Sequence, residues 1–511
     1  MFTRRLFFTA AGSALWVPAA LQAHPGHRVF TLGVTSGAPR DHSVVLWTRL
    51  APDPLRGGGM PDGLFEVRYR VGTDPGLKTI VREGIARTTH LKGHSVHVRI
   101  DGLEPGREYF YQFVFGEEES TIGRTRTSDP SAGTAKIALA NCQSYETGYY
   151  AAYRDMAEWA PDCVIHVGDY VYEGIGRPLG TQRRTYGGEV FEWTNVRQHA
   201  GPETVTLYDY RNRYAQYRLD PALQAAHAAS PWIVAMDDHE VDNNWAGMTP
   251  QDPEKQTSAE FALRRKAALQ AYYEHMPLEH APGFGPIGGG LQLYGGYRFG
   301  PADVSLLDTR QFRSDQVCGG GFPSEFPCAE LEDPRRTMTG AEQEAWLLRR
   351  IETCQAPIHI LAQQTWFAPF RYDEDPGARL WNMDQWDGYP VQRRRITEAL
   401  AGAQAEPLVL SGDWHCAAAM ALHRDPEDPS SPRIGTNFAA TSIASICPWY
   451  PSVKAAEAIN SHVRYTNGND RGYLRIEAKD DAVNAVFRTV DDVADPESRC
   501  STDAEMTTAD I

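Results

Sequence analysis

Four short segments of this chain end an apolar run in residues able to hold a metal ion. They are Asn141-Cys142-Gln143, Gly168-Asp169-Tyr170-Val171-Tyr172-Glu173, Asp237-Asp238-His239-Glu240 and Ser411-Gly412-Asp413-Trp414-His415. Each alone has an ordinary explanation, because Asp and Asn cap helices and a lone Cys or His is usually packing. Four such ends in one chain point instead to a metal centre at the carboxyl edge of a sheet, where ligands bind α/β folds. Asp169, placed where Gly168 breaks a strand, suits a carboxylate that bridges two cations. Asp413 and His415 are two residues apart, so on an extended segment they face the same way. A Cys142 thiolate, a Tyr172 phenolate and a His415 imidazole form a donor set that Ca²⁺ or Mg²⁺ would not select. Fe³⁺ would. Asp169 and Asp238, with backbone or water oxygens, suit neighbouring hard cations.

Three further residues lie close to this pattern. His239 follows Asp238 directly and could give a proton to a leaving group, or could only orient a ligand. Arg310, in Asp308-Thr309-Arg310-Gln311-Phe312-Arg313, could clamp a phosphate with two hydrogen bonds or could pair with Asp308 to fasten a loop. Asp387, in the aromatic turn Trp386-Asp387-Gly388-Tyr389, could reach a hard cation.

The elements that position these residues fall into two regions. Residues 29–34, 43–49, 65–71, 79–86, 94–100 and 108–115 read as short strands separated by turn residues, the spacing of a β-sandwich. Glu108-Tyr109-Phe110-Tyr111-Gln112-Phe113, after Leu103-Glu104-Pro105-Gly106, resembles a fibronectin type III strand and its preceding corner. A separate all-β domain over 28–127 follows, with 128–133 as a linker. After residue 136 strands alternate with helices: strands at 136–140, 163–167, 232–236, 304–307, 358–362 and 408–410, helices at 148–159, 223–230, 259–273, 341–352 and 391–400. That alternation implies an α/β domain over 136–511. Residues 177–202 show little periodicity and read as a long loop near the site.

Composition narrows the partners. The chain has 511 residues, and its net charge of −16 argues against a nonspecific nucleic-acid binder, which needs a basic face. No apolar run in the mature region is long enough to span a bilayer. At the start, Thr3-Arg4-Arg5-Leu6-Phe7-Phe8 precedes a moderately apolar stretch and Leu21-Gln22-Ala23, which reads as a twin-arginine export signal over 1–23. Eight cysteines are too few for a disulfide scaffold. Cys318 with Cys328, or Cys447 with Cys500, could bridge in an oxidising compartment.

The four segments resemble the calcineurin-type metallophosphoesterase plan of D-x-H, G-D, G-N-H-E/D and G-H-x-H. The departures are specific. Asn141-Cys142-Gln143 replaces the opening D-x-H, Asp238 replaces the Asn, and Asp413 replaces the first His of the last motif. Those substitutions resemble the PhoD-like alkaline phosphatases. The resemblance extends to Phe30-Thr31-Leu32-Gly33-Val34-Thr35-Ser36-Gly37, Val44-Val45-Leu46-Trp47-Thr48-Arg49, Asp209-Tyr210-Arg211-Asn212-Arg213-Tyr214 and Leu307-Asp308-Thr309-Arg310-Gln311-Phe312-Arg313. It implies a four-layer α/β sandwich, two packed mixed sheets flanked by helices, with an N-terminal fibronectin- or Ig-like β-sandwich. It also implies Fe³⁺ on Cys142, Asp169, Tyr172 and His415 beside Ca²⁺, with Asp238 and Asp413 on the calcium side.

The expected activity is hydrolysis of phosphomonoesters and of some phosphodiesters, by hydroxide or oxo attack on phosphorus, with His239 and Arg310 assisting. A phospholipase D-type diesterase is the nearest alternative. Expected partners are small phosphate esters, phospholipid or teichoic- and nucleotide-type diesters, and the twin-arginine translocase. The expected location is the periplasm or the medium.

Overall fold

Two large sheets lie face to face at the centre of the molecule, each covered on its outer side by helices. The computed structural model describes residues 28–186, 189–283, 290–320, 328–372 and 380–511. The proposed export signal, 1–23, lies outside the described residues. Strands Cys163–His166, Pro231–Val234 and Ile358–Ala362 are buried at every position. Near-continuous apolar runs of this kind are what parallel strands covered on both faces require.

One sheet has nine strands. Its centre runs Gly472–Lys479, Thr134–Ala140, Cys163–His166, Pro231–Val234, Val34–Gly37. The three middle strands are parallel, so their carboxyl ends open at the same edge. The second sheet has seven strands and carries Ala302–Leu306, Ile358–Ala362, Glu406–Ser411 and Arg433–Ala439 in parallel. Alternation sorts each strand between two cores. Along Thr134–Ala140, Ile137 and Leu139 face Val304, Ile360 and Leu410 of the other sheet. Ala138 and Ala140 face outward, into a core with Tyr153, Met156, Leu223 and Leu269 from helices Ala151–Trp159, Pro221–Ala229 and Ser258–His275. Leu347, Ile396 and Val453 bring helices Gly340–Thr353, Pro390–Ala401 and Tyr450–Ala456 onto the other outer face. The four layers expected are present.

The N-terminal strands also pack as a sandwich. Val67, Val71, Tyr109, Tyr111 and Phe113 of a five-stranded sheet meet Val34, Val44, Leu46, Val96 and Ile100. The second layer is not detached from the rest of the protein, however. Val34–Gly37 pairs in parallel with Pro231–Val234, with Ser36 opposite Pro231. Strands Ser43–Arg49 and Ser95–Asp101 continue the same nine-stranded sheet to its edge. One layer of the sandwich is therefore an extension of the sheet that bears the site. Alternating apolar residues mark a strand but not the sheet it joins.

Other differences have equally local causes. The first strand begins at Val34 rather than 29, because Gly33 has φ 72° and closes a turn on Phe30. Residues 177–202 are not a plain loop: Gly180–Tyr186 and Glu189–Asn195 form a hairpin. Its first strand is polar and mostly open to solvent, so no apolar alternation betrays it. Helix Leu207–Arg218, absent from the pattern reading, has a capping box between Thr206 and Asp209 and buries Arg213 and Arg218. Its polar composition hides its burial. The C-terminal residues form strand Cys500–Thr507 at the other edge of the nine-stranded sheet. Cys318 and Cys328 are bridged, whereas Cys447 and Cys500 are free thiols. Among the described residues, no helix is long and apolar enough to cross a membrane.

Candidate metal centre

The four chain segments that end in polar residues come together above the carboxyl ends of Thr134–Ala140, Cys163–His166, Pro231–Val234 and Glu406–Ser411. Three of the four leave their strands through a left-handed residue, the Asp237–Glu240 segment being the exception. Cys142, Asp169, Asp413 and His415 all have φ between 51° and 63°. Left-handed backbone is costly for these residue types and persists where the surroundings enforce it. Gly168, at φ 118°, is required: a Cβ there would stand 2.4 Å from the Asp237 Cβ. Glu240 is fully buried and holds two of the turns in place. Its carboxylate accepts from the backbone N–H groups of Asp169 (3.1 Å), Tyr170 (2.6 Å) and Asp237 (2.9 Å).

Donor atoms of Cys142, Asp169 and His415 lie within 4.8 Å of one another, as do those of Asp169, Asp238 and His239, and those of Asp237, Asp238 and Asp413. Asp169 belongs to the first two groups, and Asp238 links the second to the third. The Tyr172 hydroxyl donates to Asp169 Oδ2 at 2.9 Å and lies 3.2 Å from His415 Nε2. Ser445 Oγ stands 2.7 Å from the Tyr172 hydroxyl. His415 Nδ1 donates to the Ile446 carbonyl at 2.6 Å, and burial lowers its pKa to about 3. The ring is thus neutral, with the Nε2 lone pair toward the Tyr172 hydroxyl.

This donor set fits bound cations. Burial, then the charges of Asp169, Asp413 and Asp237, pushes the Cys142 thiol well above its ordinary pKa. Asp169 and Asp413 are driven up by burial and by neighbouring carboxylates, and Tyr172 by burial, Asp169 and Cys142. Asp238 Oδ1 is buried without a hydrogen-bond partner. So many acids share this space with few protein cations that positive charge has to come from elsewhere. The Cys142 thiol, the Tyr172 phenol and the His415 imidazole gather on one side of Asp169, and Asp238 with His239 on the other, beyond which lie the carboxylates of Asp237 and Asp413.

The candidate residues named from sequence take different places. Cys142, Asp169, Tyr172, Asp238, Asp413 and His415 converge. His239 joins them at the rim, with one-fifth of its side chain exposed, and its Nδ1 lies 2.7 Å from Glu173 Oε2. Its pKa stands well above the ordinary histidine value, because Glu173, Asp169 and Asp238 outweigh the opposing effect of burial.

Arg310 is different. Its side chain is 0% exposed, Nε donates to Asp237 Oδ1 at 2.5 Å, and Nη1 and Nη2 donate to Asp384 at 2.9 and 2.7 Å. Its guanidinium is taken up by these two acids, and from Arg310 Asp308 accepts only the backbone N–H, at 3.0 Å. Its role is to hold the Asp237 carboxylate behind the site. Asp387 is likewise excluded from the centre, since it pairs with Arg393 and accepts from the Phe370 N–H at 3.2 Å.

Sequence reasoning missed Asp237, Glu173, Glu240, Ser445 and Asp384 as working parts. The first three sit inside the quoted motifs, so their adjacency was the available signal. Asp384 and Ser445 carried none.

Known proteins resemble this chain over most of its length. The model of the PhoD-like phosphatase family matches residues 137–487, and that of the PhoD-like phosphatase N-terminal domain matches 16–129. Alkaline phosphatase D of Bacillus subtilis (strain 168) is 43% identical over 488 residues, covering 93% of this chain and 80% of that protein. A solved structure of PhoD superposes with a TM-score of 0.86 at 40% identity, over 94% of this chain and 90% of that one.

Proposed function

Because the chain belongs to the PhoD-like phosphatase family and is a phosphoric ester hydrolase, we propose that it is an exported alkaline phosphatase using Fe³⁺ and Ca²⁺. Cys142, Asp169, Tyr172 and His415 would hold the iron. Asp238 and Asp413, with Asp237, would hold calcium, and Asp169 would be shared between the two positions. When bound, the cations neutralise charge on phosphoryl oxygens and acidify water. The observation that carries this reading is the asymmetry around Asp169, with the sulfur of Cys142, the phenol of Tyr172 and the imidazole of His415 on one side and the carboxylates of Asp238, Asp237 and Asp413, rimmed by His239, on the other.

The chain's own residues do the rest. Glu173 fixes the His239 ring through Nδ1, which leaves Nε2 for another partner, and the ring sits at the rim beside the Asp169 and Asp238 carboxylates. From there Nε2–H gives its proton to the departing alcohol oxygen, and Glu173 stabilises the charged ring beforehand. Arg310 and Glu240 keep the acid-bearing turns rigid, so little reorganisation accompanies the reaction. The substrates are phosphomonoesters and phosphodiesters, including lipid, teichoic- or nucleotide-type diesters. The twin-arginine segment would bring the folded protein to the periplasm or the medium.

Turnover of p-nitrophenyl phosphate, bis-p-nitrophenyl phosphate and phosphatidylcholine tests the proposal. We expect both nitrophenyl esters to be hydrolysed at alkaline pH and activity to disappear on chelation. Hydrolysis of phosphatidylcholine alone would indicate a phospholipase instead, and no loss on chelation would remove the metal from the reaction.

A further inference from the structure

Trp449 stands beside the metal centre without supplying a donor to it. Its ring is 5.2 Å from that of His415 and 4.9 Å from that of Trp414, centroid to centroid. Its indole N–H donates to the Trp414 carbonyl at 3.0 Å, which fixes the tilt of the ring. The ring of Tyr186 lies 6.0 Å from that of Trp449. Tyr186 ends the first strand of the hairpin Gly180–Tyr186/Glu189–Asn195, whose strands, among the described residues, pair only with each other. A two-stranded ribbon is marginal in water on its own. This one nevertheless carries Phe191 and Trp193, half-buried and 6.1 Å apart, as well as Tyr186.

The burial pattern shows which side of the site is open. Asp169, Asp237 and Asp238 are buried, whereas Tyr172, His239, Asp413, Trp449 and Tyr186 keep part of their surface in solvent. An ester whose phosphoryl group sits among the buried carboxylates would extend its alcohol toward that open side. We propose that Trp449 and Tyr186 form the wall against which this alcohol rests, so that the enzyme prefers esters of aromatic or extended apolar alcohols to those of small polar ones. This rests on the hydrolase reading above and adds a substrate class to it. A ring stacks on the indole face and a methylene chain loses water against it, while a short hydroxylated alcohol gains neither.

The test compares kcat/KM for p-nitrophenyl phosphate and for glycerol 3-phosphate in Trp449→Ala, Trp449→Phe and Tyr186→Ala, with melting temperature and iron content measured on each. The aryl-over-glycerol ratio should fall about tenfold in Trp449→Ala and severalfold in Tyr186→Ala, through KM, and Trp449→Phe should recover most of it. Tyr186 lies on the outer arm, so its variant keeps the core even where Trp449→Ala loosens it. An unchanged ratio in both alanine variants would overturn the wall. So would an equal loss in kcat on both esters accompanied by lost iron, which would make Trp449 a support for His415. A parent enzyme that hydrolyses neither ester would overturn the hydrolase reading itself, and the wall with it.

Discussion

Asp169→Asn should all but abolish turnover: kcat/KM on p-nitrophenyl phosphate is expected to fall more than ~10³-fold, beyond the ~10–100-fold that loss of an orienting partner costs. The reason is positional. Asp169 is the carboxylate common to the donor group of Cys142 and His415 and to that of Asp238 and His239. Its Oδ2 meets Tyr172 and Cys142, at 2.9 and 3.5 Å, and its Oδ1 accepts from the His239 backbone N–H at 3.3 Å. An amide keeps one acceptor oxygen but loses the charge and the second, so it cannot serve both sides. Metal content should fall with activity. Metal-free variant and metal-free parent should melt at similar temperatures, because the substitution removes one of several mutually repelling buried acids. An active Asp169→Asn protein would contradict the shared-ligand account.

Arg310→Ala should unfold or severely weaken the protein, by about 3–5 kcal/mol, the range for removing one partner of a buried charged network. Arg310 is the cation between Asp237 and Asp384, and Asp238 Oδ1 is 3.7 Å from its Nη2. Burial and the neighbouring Asp238 already raise the Asp237 pKa to about 7 in spite of Arg310. Without the guanidinium, the counter-charges left to these carboxylates among the described residues are Arg313, which reaches Asp384, and His239, which acts on Asp238. Thermal or denaturant unfolding of the variant is the check. A phosphate clamp predicts the opposite pattern: unchanged stability and a raised KM.

The pair shows where residue types and spacing suffice and where they do not. Cys142, Asp169, Tyr172, Asp413 and His415 were legible because each follows an apolar run in a residue with a chemistry of its own. Parallel strands then bring such ends to one edge whatever the intervening chain does. Arg310 was misread because an arginine after a strand looks the same whether it faces solvent or two buried acids. Its true partners lie 73 and 74 residues away. Glu240 follows His239 in a recognised motif, yet its work is done on backbone N–H groups, which no side-chain pattern displays. The N-terminal sandwich was visible as strands, but its fusion to the nine-stranded sheet depends on the Ser36–Pro231 pairing across nearly 200 residues of chain. The hairpin that carries Tyr186 escaped because its first strand is polar enough to pass for a loop.

The central claim is that two unlike cations flank Asp169. Elemental analysis of the purified protein, combined with its visible absorption spectrum, tests this most directly. The account predicts about one iron per chain together with calcium, and a phosphate-sensitive absorption band from the iron–phenolate pair that disappears in Tyr172→Phe. A fully active protein containing zinc or magnesium alone, with no visible band, would contradict it.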